Sequence, residues 1–172
     1  LVYKGYKIQW YSPGSGTVLS SHEVAQGYEE VQDPSIFVKF KVEMSEDVYF
    51  LAWTTTPWTI ISNMALAVNP NLDYAKIELS EGDRTEYYIM AKDCIDEVID
   101  HDYEIVEEYK GEELVGWTYD PVFDYALEEF DKDEAWRVVS ADFVTTEEGT
   151  GVVHTAPAFG VDDYEMGQEH DI

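Results

Sequence analysis

Basic residues are scarce in this chain of 172 residues: ten lysines and arginines stand against 37 aspartates and glutamates, for a formal net charge of −27. The acidic residues are spread along the sequence without a long block of one sign. Because such a surface repels phosphate, it disfavours broad binding of duplex nucleic acid through a basic patch. Any contact with nucleic acid is therefore expected to be local, or steered by other parts of a larger protein.

Cysteine and long apolar runs are also lacking. Cys94 is the single cysteine, which excludes an internal disulfide and a thiolate zinc cluster and indicates a reducing compartment, the cytoplasm. No apolar run approaches the ~20 residues that span a membrane, and no signal peptide is present. No glycine-rich phosphate loop with a lysine and no serine nucleophile elbow occurs. Because the sequence opens at Leu1 without methionine, we expect one domain, residues 1–172, excised from a longer protein.

The residues that are present predict a folded, strand-rich domain: 45% are hydrophobic and 15% aromatic. Turn-punctuated apolar segments predict about nine short strands and two or three short helices. The fold class is therefore mainly β with peripheral α, arranged as a closed or nearly closed β-barrel. The predicted strands lie in residues 1–11 (one or two), 36–42, 48–52, 65–68, 74–79, 85–90, 103–109, 136–140 and 151–155. One predicted helix begins near residue 20, a second spans 92–100 and a third begins near 161. Residues 114–125 are expected to cover the core, and residues 131–134 to form a polar connection.

The first stretch with chemical potential is WTTTPWT, residues 53–59, which follows the apolar run Val48–Ala52. Pro57 ends the strand because it has no N–H for a ladder, and it can open a helix. Three threonine hydroxyls thus lie where a strand stops, beside backbone N–H groups that have left the ladder. They could hold one small polar ligand, although threonines are also simply good strand residues.

The second stretch is GTGVVHTAPAFGVDDY, residues 149–164. Its paired glycines allow unusual backbone angles or close approach of a ligand. His154 near a strand end and Asp163 in the first helical turn could face the same rim, although either can be structural. A metal site of His154, Asp162, Asp163 and His170 is conceivable, but the spacing matches no compact ligand motif, and we expect no metal.

Together the two stretches resemble the signature regions of the editing domain, connective polypeptide 1, of isoleucyl-tRNA synthetases. The segments WYSPGSGTVLSSHEVAQGY, DPSIFVKF and DPVFDY are also similar to that family, so the resemblance covers essentially the whole chain. Thr56 stands where leucyl and valyl relatives typically carry Arg, and His154 stands where valyl relatives typically carry Lys. Both differences favour the isoleucyl member. The ATP-binding signatures HIGH and KMSKS are absent from these 172 residues, so we do not expect this chain to activate isoleucine.

The resemblance implies post-transfer editing, in which water hydrolyses valine wrongly esterified to the isoleucine tRNA, and possibly valyl-adenylate. It implies catalytic roles for Thr54, Thr55, Asn63 and Asp163, and substrate binding by Trp53, Thr56, His154 and Asp163. Asp163 would hold the α-ammonium, His154 and Thr56 would line the side-chain pocket, and Thr54, Thr55 and Asn63 would bond the terminal adenosine, the ester or the water. The implied partners are the 3′-terminal aminoacyl-adenosine and the rest of the synthetase, with the chain a monomer. No cofactor is implied for editing; ATP and magnesium belong to the complete synthetase.

Two other interpretations stay open. A valyl-type editing domain would hydrolyse threonyl-tRNA and would need a polar group for the threonine hydroxyl. A non-catalytic acidic barrel that binds small amino compounds would need only Asp163 and the threonines, and would bind without turnover.

Overall fold

The computed structural model describes residues 2–82, 84–128, 130 and 134–172. Their strands are β1 (Tyr11–Ser12), β2 (Thr17–Val18), β3 (Ile36–Lys41), β4 (Val48–Thr54), β5 (Ala65–Val68), β6 (Asp73–Glu81), β7 (Arg84–Ala91), β8 (Glu104–Lys110), β9 (Arg137–Ser140) and β10 (Val152–Thr155). The α-helices are α1 (Ser21–Ala25), α2 (Ile95–Val98), α3 (Gly111–Leu114) and α4 (Val161–Glu169), and 3₁₀ helices cover Pro57–Ser62 and Lys92–Cys94. Among the described residues, no helix is long and apolar enough to cross a bilayer.

The strands form three sheets. Five strands follow the order β3-β4-β7-β6-β8, three follow β10-β5-β9, and β1 pairs with β2 alone. The pairs β4–β7 and β5–β9 are parallel, and the others are antiparallel. The predicted class, mainly β with few helices, is confirmed, but the described strands do not close, and the predicted barrel is not supported.

The junction between the two larger sheets explains why no barrel closes there. The segment after α3 joins β3 to β9 through two isolated bridges, Val42–Tyr119 and Thr118–Arg137, rather than through a ladder. Gly116 has φ 87° and Pro121 has no N–H to donate, so this segment cannot continue as a regular strand. As predicted for residues 114–125, it covers the core, with Tyr119 fully buried.

The central strand β5 places the elements of the site. Its four residues are all buried, and their side chains alternate between two clusters. Leu66 and Val68 face the main core between the two sheets. Ala65 and Ala67 face the opposite side, where Met166 of α4 packs against them. The small alanines therefore let α4 lie close to the outer face of the three-stranded sheet.

Most predicted strands and the helix from 161 are confirmed, and two predictions besides the barrel need correction. Residues 2–10 have no regular secondary structure, and most of their apolar side chains, such as Val2 and Tyr3, are exposed. The helix predicted over 92–100 is only a 3₁₀ turn followed by the four residues of α2. Residue 83 of the β6–β7 turn and residues 131–133 of the predicted polar connection lie outside the described residues.

Candidate functional site

The threonine segment turns sharply where β4 ends. The backbone N–H of Thr56 donates to Thr54 Oγ1 at 3.0 Å, and Pro57 then begins the 3₁₀ helix. Within that helix, the N–H of Thr59 donates to Thr56 O at 3.0 Å. Side chains three residues apart are aligned in a 3₁₀ helix, so the hydroxyl oxygens of Thr56 and Thr59 lie 3.3 Å apart. The hydroxyls of Thr54, Thr56 and Thr59 therefore lie side by side at the strand end and form a threonine row.

The glycines around Thr150 let the chain approach neighbouring strands. Gly149 and Gly151 have φ of 78° and 68°, a conformation that side chains with a Cβ rarely adopt. A Cβ at Gly151 would lie 2.3 Å from the Cβ of Ala91, and one at Gly149 would lie 3.3 Å from the Trp53 side chain. The predicted unusual backbone angles are confirmed. The neighbours that approach these glycines closely are protein groups, and close approach of a ligand stays a prediction.

Helix α4 brings Asp163 to the end of β10. The carboxylate oxygen Oδ2 accepts a hydrogen bond from the backbone N–H of Ala156 at 3.1 Å. Partial burial raises the pKa of this carboxyl; the Ala156 N–H opposes the rise and the neighbouring charge of Asp162 adds to it. A cation that binds beside this half-buried carboxylate would stabilise its ionised form.

His154 points from β10 into the main core and lies against Phe40, with ring centroids 6.5 Å apart. Both of its ring nitrogens have protein partners: Nε2 lies 3.1 Å from Thr59 Oγ1 and Nδ1 lies 2.8 Å from Asn63 Nδ2. Burial lowers the pKa of this imidazole to about 4, so the ring is neutral at physiological pH. A neutral, held ring is suited to forming a wall and unsuited to carrying a charge.

These elements border one cleft of about 630 Å³. Its lining includes the predicted site residues Trp53, Thr54, Thr55, Thr56, His154 and Asp163. Thr55 and Thr56 are exposed to solvent, whereas Thr54 and His154 are buried in its floor. The structure thus brings together residues that lie about a hundred positions apart in the sequence.

Asn63 is the one predicted site residue that does not line this cleft. Its side chain is buried, with Nδ2 donating to Ala65 O at 2.9 Å and Oδ1 accepting from the Tyr119 hydroxyl at 2.6 Å. Because its oxygen and nitrogen are used within the protein, its contact with the cleft is indirect, through His154. In the structure it directly follows the 3₁₀ helix, and no local sequence pattern indicates that its side chain turns inward.

The sequence interpretation did not assign a role to three groups that the structure places at the site. Thr59 contacts both Thr56 and His154, and its spacing of three from Thr56 was a usable signal. Trp10 lines the cleft from the irregular N-terminal segment, and Tyr119 reaches Asn63 from the covering segment; no local pattern marks either.

The metal alternative can be compared with the positions of its four residues. His170 Nε2 lies 2.9 Å from Ser140 O, and Asp162 lines a separate pocket beside α4. Within the described part of the chain, no three His, Cys, Asp or Glu side chains form a group that could hold a metal ion.

Comparisons with known proteins agree with the predicted resemblance. No family model matches the chain. It is 50% identical over 170 residues to an isoleucine–tRNA ligase of Clostridium tetani and 49% identical over 172 residues to that of Picrophilus torridus. These matches cover 99% and 100% of the chain, respectively, but only 16% of each relative.

Two solved structures share the fold. GlLeuRS-CP1 superimposes with a TM-score of 0.61 at 20% identity, over 79% of this chain and 60% of the other. The crystal structure of the P. knowlesi cytosolic leucyl-tRNA synthetase editing domain gives a TM-score of 0.60 at 17% identity, over 78% of this chain and 62% of the other. The chain is therefore homologous to a segment of isoleucine–tRNA ligases and has the fold of a synthetase editing domain.

Proposed function

We infer that this chain is an editing domain of the isoleucyl-tRNA synthetase type, and we propose that its cleft hydrolyses valine wrongly esterified to the isoleucine tRNA. The observation that carries the proposal is the meeting of the threonine row, neutral His154 and the carboxylate of Asp163 around one cleft, in a chain half identical to isoleucine–tRNA ligases. The proposed partners are the 3′-terminal aminoacyl-adenosine and the rest of a cytoplasmic synthetase. We propose no cofactor for the hydrolysis.

A second site of this kind answers a physical problem. A pocket built for one side chain loses only about 1–3 kcal/mol when one methylene is missing, and rejection of valine by isoleucyl enzymes is the standard example. A second cleft can instead exclude the larger side chain by steric clash. The buried ring of His154 and the alcohol of Thr56 border the cleft and are suited to that exclusion.

The substrate's two charged or polar ends have matching groups in the cleft. The α-ammonium of the aminoacyl ester pairs with Asp163, in a charge-assisted hydrogen bond that partial burial strengthens. The exposed residues Thr55 and Thr56 line the cleft, and their hydroxyls can bond the ester and the terminal ribose.

Hydrolysis then needs a positioned water rather than a covalent intermediate. An aminoacyl ester is already reactive, so fixing the water and the ester carbonyl lowers the barrier without a strong base. Neutral hydroxyl and backbone dipoles stabilise the oxyanion as it develops. His154 does not act as the general base in this mechanism, because both its nitrogens are bonded within the protein.

The test is deacylation of isoleucine tRNA charged with valine, threonine or isoleucine, with the 172-residue chain in excess. We expect the valyl ester to be cleaved much faster than the isoleucyl ester. Preferential cleavage of the threonyl ester would favour a valyl-type domain, and absence of cleavage of all three would refute the proposed function.

A further inference from the structure

The proposed function uses His154 as a pocket wall but does not explain what fixes that ring. A neutral imidazole has two tautomers, and the tautomer decides which nitrogen donates and which accepts. We propose that Tyr119, which lies outside the cleft lining, is a positioning residue that fixes the tautomer of His154 through the side-chain amide of Asn63. This inference rests on the proposed function only where it concerns the choice of substrate.

Two contacts hold the Asn63 amide: the carbonyl of Ala65 selects which end is the nitrogen, and the hydroxyl of Tyr119 holds the oxygen end so that the amide plane stays aimed at His154. A backbone carbonyl only accepts hydrogen bonds, so the Asn63 atom 2.9 Å from Ala65 O is the amide nitrogen. The amide oxygen then faces Tyr119, whose hydroxyl donates to it at 2.6 Å. Tyr119 is fully buried, and its ring meets Phe40 edge-on with centroids 5.4 Å apart, so the phenol has little freedom to turn away.

The amide in turn sets the protonation of the ring. The second hydrogen of Asn63 Nδ2 points to His154 Nδ1 at 2.8 Å, so Nδ1 accepts and carries no proton. The proton of the neutral ring is therefore on Nε2, which donates to Thr59 Oγ1 at 3.1 Å. The hydroxyl of Thr59 in turn donates a hydrogen bond to Thr56 O at 2.8 Å. The donors thus run in one direction, from Tyr119 and Asn63 to the threonine row.

This direction matters for the cleft because Thr56 is at its surface. With Nε2 protonated, Thr59 is held against Thr56 O, and the Thr56 hydroxyl has Thr54 Oγ1 at 3.2 Å and Thr59 Oγ1 at 3.3 Å as neighbours. In the other tautomer Nε2 accepts, so Thr59 would turn to donate to it and release Thr56 O. The side-chain wall and the hydroxyl row would then rearrange together.

The first measurement is long-range ¹H–¹⁵N correlation NMR on the 172-residue chain, which contains four histidines. His154 is identified by loss of its signals in His154→Gln. We expect Nδ1 of His154 to be unprotonated and Nε2 to carry the proton in the wild-type protein. A protonated Nδ1 would overturn the proposal, and this result requires no variant of Tyr119 to fold.

The second measurement compares Tyr119→Phe with Tyr88→Phe. Tyr88, like Tyr119, is a buried phenol that donates a hydrogen bond, in its case to the carboxylate of Glu86. Neither Tyr88 nor Glu86 lines the cleft. We expect Tyr119→Phe to give mixed tautomers and to lower the preference for valyl over isoleucyl ester by about threefold or more, part of the roughly 10–200-fold that one methylene can supply. Tyr88→Phe should keep both.

The outcomes separate this inference from the proposed function. An unchanged tautomer and an unchanged ester preference in Tyr119→Phe would overturn the positioning role. If neither ester is cleaved but the tautomer changes as expected, the deacylase function is refuted and the positioning of His154 by Tyr119 is supported.

Discussion

Replacement of Asp163 by asparagine removes one charge from the cleft and little else. Asparagine keeps an oxygen that can accept the Ala156 N–H now bonded at 3.1 Å, so the turn between β10 and α4 retains its hydrogen bond. The lost interaction is the charge-assisted bond to the α-ammonium, worth about 1.5–3 kcal/mol. At 1.4 kcal/mol per factor of ten, kcat/KM for the valyl ester should fall by about 10–150-fold.

The matched control is Asp162→Asn, which makes the same change one position earlier on α4. Asp162 is exposed and lines a different pocket, so its replacement should leave hydrolysis within about twofold of the wild-type rate. Both variants are assayed by single-turnover deacylation of valyl-tRNA, with unfolding measured in parallel. An equal loss in the two variants, or near-normal turnover in Asp163→Asn, would remove Asp163 from the ammonium site.

Three further outcomes are expected. His154→Ala should allow cleavage of the isoleucyl ester, since it removes a wall of the cleft; continued full rejection of isoleucine would argue against that role. Gly151→Ala should lower the free energy of unfolding in urea by more than Gly82→Ala, because both glycines have positive φ but only at Gly151 does an added Cβ strike Ala91; equal losses would contradict this. Because burial lowers the pKa of His154 from 6.5 to about 4, the unfolded chain binds more protons than the folded chain between these pH values. The free energy of unfolding should therefore fall as the pH falls from 6.5 to about 4. His154→Gln should make this dependence of stability on pH less steep.

The sequence predicted the parts of the fold that depend on local patterns. Strands with continuous apolar runs, such as Ala65–Val68, and the helix from Val161 are where periodicity and turn residues place them. The capping pair Ser20 and Glu23 likewise marks the start of α1. Closure of the sheets could not be predicted in this way, because it depends on whether distant edges pair, and the covering segment makes only isolated bridges.

In the candidate site, too, the local sequence predicted some features, whereas others depend on contacts between distant residues. The predicted site residues Thr54, Thr55, Thr56, His154 and Asp163 lie around one cleft in the structure, although their roles stay predictions. The inward turn of Asn63 could not be predicted, because its partners Ala65, Tyr119 and His154 come together only in the folded core. Local sequence reports which groups are available, whereas their direction is set by contacts that are far apart in the chain.

The most direct test of the proposed cleft is a crystal structure of this chain with adenosine carrying valine through a non-hydrolysable amide at the ribose. We expect the ammonium within hydrogen-bonding distance of Asp163, the valine side chain against His154, and the linkage beside Thr55 and Thr56. An analogue bound instead in the separate apolar pocket that contains Met64 and Phe123, or bound with its ammonium away from Asp163, would contradict the assignment of this cleft as the editing site.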